Sequence, residues 1–139
     1  MQIRKFSEGD RTSVLELWEV CELTRPWNDP NKDIDRKMQF QANLFFVGTV
    51  NSRVISSAMA GYDGHRGSVF YLAVHPESQG LGYGQLLMTH IESELLKLGC
   101  PKLNLVVRST NEKTLGFYSN LSYSTDPVVS LGKRLVPDT

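Results

Sequence analysis

Cysteine is scarce in this chain. Only Cys21 and Cys100 occur among 139 residues; they form no CxxC pair and cannot make a disulfide framework. Both fall in helical or helix-end contexts, which predicts buried or inert thiols and a reducing, cytoplasmic setting. An excess of either charge is missing too, since fifteen Lys and Arg balance fifteen Asp and Glu. A net charge of zero argues against general nucleic-acid binding, which draws on many phosphate contacts, while leaving room for a local basic patch. No uninterrupted apolar run approaches the length that spans a bilayer. The opening MQIRKFSEGD lacks the apolar stretch of a signal peptide. Neither nucleic acid nor membrane is therefore an expected partner. The three histidines and the acids near them show no metal-ligand spacing, so no metal is expected. Repeats, low-complexity tracts and Pro/Gly/Ser-rich linkers are absent, which predicts one domain over residues 1–139, long enough for a single sizeable core.

The apolar pattern that remains reads as a mixed fold. MQIRKF alternates and predicts a strand over 2–6. SEGD supplies helix-start chemistry, and Val14, Leu17, Trp18 and Cys21 recur at helical spacing, predicting an amphipathic helix over 8–23. TRPWNDPNKD breaks it, and a short helix follows around Asp33–Gln41. NLFFVGTV and RVISSAMAGYDG, separated by Asn51-Ser52, predict a hairpin. GSVFYLAVHP adds a strand ended by Pro76. Leu87, Ile91, Leu95 and Leu98 line one face of the next helix, with Gly99 as its stop. KLNLVV alternates as a strand, NEKTLGFYSNL reads as a short helix capped near Asn111, and DPVVSLGKRLV reads as a last strand. Antiparallel strands thus come first, followed by a β-α-β crossover that should be right-handed. The expected class is α/β (α+β): a mixed sheet with helices on its faces.

Between the strand YLAV and the leucine-lined helix stands SQGLGYGQLL. Its glycines, Gly80, Gly82 and Gly84, alternate directly before a helix start, where glycine is costly. The first amides of a helix have no intrahelical partners and, with the helix dipole, favour an anion. The stretch reads either as a pyrophosphate cradle or as a tight turn that happens to be glycine-rich. A P-loop would need Lys and Ser/Thr after its glycines, but Gln85-Leu86 follow Gly84. A dinucleotide fingerprint needs G-x-G-x-x-G after the first strand of a parallel fold, whereas the pattern here is G-x-G-x-G in mid-chain.

These residues resemble those of a family. Gln79-x-x-Gly82-x-Gly84 is similar to the acyl-CoA pyrophosphate motif of the GNAT N-acetyltransferases, R/Q-x-x-G-x-G/A. Leu72, Ala73 and Val74 resemble the end of that family's central strand. NEKTLGFYSNLSY resembles its later segment, with Asn111 and Tyr118 two helical turns apart. RPWNDP, GYDGHRGS, GCPK and SLGKRL resemble a small bacterial member. The resemblance covers nearly the whole chain in the order of its elements.

It implies a mostly antiparallel sheet with helices on both faces and the crossover at the coenzyme site. It also implies transfer of an acetyl group from acetyl-CoA, as cosubstrate, to a primary amine by direct attack on the thioester. The fourth and fifth strands would splay to admit the pantetheine arm, with Leu72, Ala73 and Val74 against it. Gln79, Gly80, Leu81, Gly82, Tyr83 and Gly84 would hold the pyrophosphate through main-chain N–H groups. A backbone N–H near Val74 would face the oxyanion. Tyr118 would be the general acid, the alternative being a core aromatic. Asn111 would bond near the coenzyme arm, the alternative being a helix cap.

Three departures accompany the match. Leu81 stands where a basic residue is common, with Arg108 or Lys113 as replacements the sequence cannot place. Ser122 replaces a turn glycine. Val106 stands where ribosomal-protein acetyltransferases of the family carry a glutamate base. That last absence keeps a non-catalytic acyl-CoA-binding regulatory protein as the alternative function. Asp63 and His65 are candidates to take the amine proton, against a water relay or a substrate already neutral. Trp27 is a candidate wall of the acceptor pocket, against a turn residue packed on the sheet edge. Asp29 is a candidate to attract the amine. The implied partner is a small-molecule amine or a protein or peptide amine, with a homodimer among the expected assemblies.

Overall fold

The computed structural model describes residues 1–138. Strand β1 (Gln2–Lys5) leads through a tight turn into helix α1 (Arg11–Val20). Helix α2 (Pro30–Met38) begins where the sequence reads as a break. Pro30 sits in its first turn, where a missing N–H costs nothing, and Asp29 caps it, accepting from the Asn31 amide at 2.9 Å. Strands β2 (Phe45–Val50) and β3 (Arg53–Tyr62) form the expected hairpin. Asn51 and Ser52 both take positive φ, 50° and 66°, as the commonest two-residue hairpin turn requires.

Strand β4 (Gly67–Val74), helix α3 (Tyr83–Lys97), strand β5 (Leu103–Asn104) and helix α4 (Glu112–Asn120) complete the elements. The sheet order is β1-β2-β3-β4-β5, antiparallel except for the parallel pair β4 and β5. This is the mixed, mostly antiparallel arrangement expected, with α3 as the crossover.

Strand alternation sends side chains to two cores. Phe45 and Val47 of β2 join Trp18 and Ile34 under α1 and α2, while Phe46 joins Leu87, Met88, Ile91 and Leu95 under α3. Helix α3 ends on Gly99 at φ 82°, with the Cys100 amide bonded to Leu95 O and the Gly99 amide to Leu96 O, a paired C-cap that only a left-handed residue closes. That turn leaves Leu98 half exposed and brings Cys100 into the core instead, correcting the predicted helix face.

Two strands depart from expectation. KLNLVV is a strand only at Leu103–Asn104, and DPVVSLGKRLV forms none. β-propensity becomes a strand only where a sheet edge lies within pairing reach. Among the described residues, the only backbone–backbone hydrogen bond from 127 to 137 is from the Val128 amide to Asp126 O. Val128, Val129, Leu131, Leu135 and Val136 are consequently exposed.

Candidate active site

β4 and β5 meet only at Gly67–Leu103 and Ser68–Asn104. From Val69 to Val74 the β4 backbone has no ladder partner on that side. The cause lies within β4. Its pairing with β3 passes from Ser57–Ala73 to Met59–Phe70, so β4 spends three steps where β3 spends two. This is a bulge, which bends the strand that carries it. Tyr71 at the bulge has φ 54°, a conformation costly for an aromatic residue, about 1–3 kcal/mol. Its surroundings hold it there. The ring stacks on Trp18 with centroids 3.9 Å apart, and the hydroxyl donates to Asp33 Oδ2 at 2.6 Å. Burial, reinforced by Asp33, pushes the Tyr71 hydroxyl well above its ordinary pKa, so it remains a donor.

The split opens toward the glycine turn. The Gln79 side chain donates to Val74 O at 2.9 Å, closing the turn on the strand end, and accepts from Lys113 Nζ at 3.2 Å. Gly80 and Gly82 have φ of 81° and 83°, and a Cβ on either would meet nothing within 4 Å. No side chain caps the first amides of α3. Gly84 has a different reason to be glycine. A Cβ there would lie 3.0 Å from Phe117 Cζ, so it permits close packing of α3 on α4. The Leu81 side chain points out to solvent. Lys113 is the candidate cation that the fold brings beside Gln79. Arg108, the other candidate, lies over the Trp27 ring at 5.9 Å.

Tyr118 faces inward from α4 and packs with Leu87 and Met88. Phe117 and Tyr123 contact its ring edge-on, with centroids at 5.0 and 5.5 Å, and Tyr123 is itself tied to Glu92 at 2.5 Å. Burial pushes the Tyr118 hydroxyl up to about 12, so it carries its proton at neutral pH. It makes no side-chain hydrogen bond among the described residues, and none of their buried side-chain oxygens or nitrogens lacks a partner. The hydroxyl therefore reaches accessible space rather than being sealed in the core.

Other candidates hold structural posts. Asn111 Oδ1 caps α4, accepting from the Thr114 amide at 3.1 Å. The Asp29 carboxylate is spent on the α2 cap. Asp63 accepts from the Arg66 and His65 amides at 2.7 and 2.8 Å; these bonds hold its carboxyl below the usual range and make it a poor base. Asp63 and His65 shape the β3–β4 hairpin, at the opposite end of β4 from the glycine turn. At about 3.3 Å per residue the seven steps between Gly67 and Val74 span about 23 Å. Asp63 helps line a groove of about 240 Å³ together with Phe40, Phe70, Asn104 and Val106; His65 does not. Trp27 is half exposed beneath Arg108 and borders a larger cavity of about 680 Å³, rather than packing on the sheet edge. Among the described residues no three His, Cys, Asp or Glu side chains gather to hold a metal ion.

The sequence and the fold both have counterparts among known proteins. Residues 12–123 match the model of the acetyltransferase (GNAT) family. An acetyltransferase of Yersinia pestis (strain Pestoides F) is 48% identical over 138 residues, covering 99% of this chain and 98% of the relative. The chain therefore belongs to the GNAT acetyltransferase family. Among solved structures, the ribosomal-protein-S18-alanine N-acetyltransferase of Escherichia coli superposes with a TM-score of 0.71 at 23% identity, over 86% of this chain and 75% of that one. N-acetylglutamate synthase of Neisseria gonorrhoeae, solved with coenzyme A and L-arginine, gives 0.66 at 20% identity, over 84% and 26%. At those identities the likeness is one of fold.

Proposed function

We propose that the chain acts as a single domain over residues 1–139 and transfers an acetyl group from acetyl-CoA to the primary amine of an acceptor. The observation that carries this reading is the open edge of β4 running into an uncapped, positive-φ glycine turn. An extended chain of amides can pair with the exposed backbone of Val69 to Val74 as an added strand would. The amides of Leu81 to Gly84 suit a diphosphate, because the turn is bare where a Cβ would intrude and the helix start favours an anion. Lys113 adds a cation beside them.

The coenzyme, when bound, supplies an activated thioester. Tyr118 holds the proton that the departing thiolate needs, kept in place by burial. The bulge fixes the β4 backbone before Val74, where a main-chain N–H can face the developing negative charge. Val106 offers no carboxylate on the fifth-strand segment, so the acceptor reacts as a neutral amine or passes its proton to water.

Thiol release from acetyl-CoA over a panel of amines, beside calorimetric titration with coenzyme A, tests the proposal. Coenzyme binding with amine-dependent release is expected. Binding without release for every amine would make the chain a non-catalytic coenzyme-binding regulator, and no binding at all would remove the site.

A further inference from the structure

The larger cavity sits where both walls of the split can be traced to it. Its lining is Trp27, Arg36 and residues 132–136. Trp27 lies beneath Arg108, on the segment that leaves β4 after Asn104. Arg36 bridges to Asp33 at 3.6 Å, and Asp33 holds the Tyr71 hydroxyl at the bulge. Two of its lining residues thus reach the diverging segments through side chains, Trp27 to Arg108 and Arg36 by way of Asp33 to Tyr71. The segment that walls it is latched at Asp138, a buried residue. Asp138 accepts from the Asp29 amide at 2.7 Å and from Arg36 at 2.7 Å, stands 3.7 Å from Arg134, and takes Lys32 Nζ on its carbonyl at 2.8 Å. This latch places Lys133 and Arg134 on the lining.

Charge is the cavity's distinguishing property. Its lining holds three cations, Arg36, Lys133 and Arg134, and no acidic side chain, with Trp27 as the flat apolar wall. Asp138, with 3% of its side chain exposed, pairs with both arginines, and Asp33 stands 3.6 Å from Arg36; Lys133 has no acidic partner among the described residues, so the lining keeps an excess of positive charge. A polyamine or aminoglycoside would meet like charge there. A volume of about 680 Å³ lies in the range of small-molecule sites.

Building on the acetyl-transfer reading, we propose that the acceptor is a small amine that also carries a carboxylate or phosphate, its anionic end held by Arg36, Lys133 and Arg134. Guanidinium groups suit both anions through paired donors. The amine end then points past Trp27 toward the split. A C–N bond forms and the C–S bond breaks; the amine loses one proton and the thiolate gains one.

The test is a set of matched acceptors with the full chain and acetyl-CoA: 2-aminoethyl phosphate against 2-aminoethanol, and β-alanine against its amide. The two pairs separate phosphate from carboxylate as the preferred anion. In at least one pair the anionic member is expected to have a kcat/KM about tenfold higher or more, the scale of one charge-assisted contact. Arg134→Gln should bring that ratio toward one without changing the Kd for coenzyme A. Lys133→Gln, at an exposed position, should lower it in the same sense if the arginine variant does not fold. Equal or faster transfer to the neutral member of both pairs overturns the assignment while acetyl transfer stands. A ratio unmoved by both variants overturns the location. Coenzyme binding with no transfer to any amine overturns the transfer reading and this one with it.

Discussion

The two sides of the split are made of different materials. On the side proposed for the coenzyme, the unbroken run from Val74 to Gly84 offers its backbone: two left-handed glycines, uncapped amides and a glutamine that fastens the turn to the strand. On the side proposed for the acceptor, Trp27, Arg36, Tyr71, Arg108 and residues 132–138 come from five parts of the chain and offer side chains. A backbone site tolerates exchange of its neighbouring side chains but not of its glycines. A side-chain site can be retuned by any one of its contributors.

Tyr118→Phe breaks the comparison most sharply, because Tyr118 serves neither side's recognition. The turnover number should fall about 100-fold or more, while calorimetry shows the Kd for coenzyme A within about twofold, since the phenyl ring keeps the packing against Phe117 and Tyr123. Unchanged turnover would remove Tyr118 as the acid.

Gly82→Val should weaken coenzyme binding by about tenfold or more, combining a strained positive φ with bulk over the amides. Gly84→Ala provides the contrast. Its Cβ meets Phe117 rather than ligand, so the loss should appear as a lower Tm, about 1 kcal/mol of stability, with affinity less affected.

Asp138→Ala should spare the coenzyme side altogether. Releasing the latch is expected to raise the acceptor KM on the order of fivefold and to hasten proteolysis between residues 125 and 137. A KM that stays put would mean that the latch has no part in acceptor binding.

The smallest effect belongs to Lys37, on α2, whose ammonium donates to Ala60 O. Burial lowers its pKa from 10.5 to about 8. Between those values the unfolded chain binds more protons, so stability rises with pH across that window. Relative to Lys37→Met, the native chain should gain about 1–3 °C in Tm from pH 8 to 10.

The local structure around the proposed coenzyme half was largely legible in the sequence. The glycine turn, the hairpin at Asn51-Ser52 and the stop at Gly99 are local devices, each written within a few residues. Asp29-Pro30 was local too, but its signal has two meanings: Pro and Asx residues that end one helix also start the next. The acceptor half was not legible in the same way. Of the residues expected there, Trp27 borders the cavity, Asp29 caps α2, and Asp63 and His65 shape a hairpin at the far end of β4.

The amino-acid order by itself determined where helices start and stop, which strand faces are apolar, and which amides are left bare for an anion. These depend on neighbours along the chain and on backbone preferences that no distant residue alters. Only the tertiary structure decided that Tyr71 would take a left-handed bulge, that β4 and β5 would part after two residue pairs, that Lys113 would reach Gln79, and that Asp138 would close a cationic cavity. Each of those rests on groups far apart in sequence, whose meeting is set by how the sheet bends and packs.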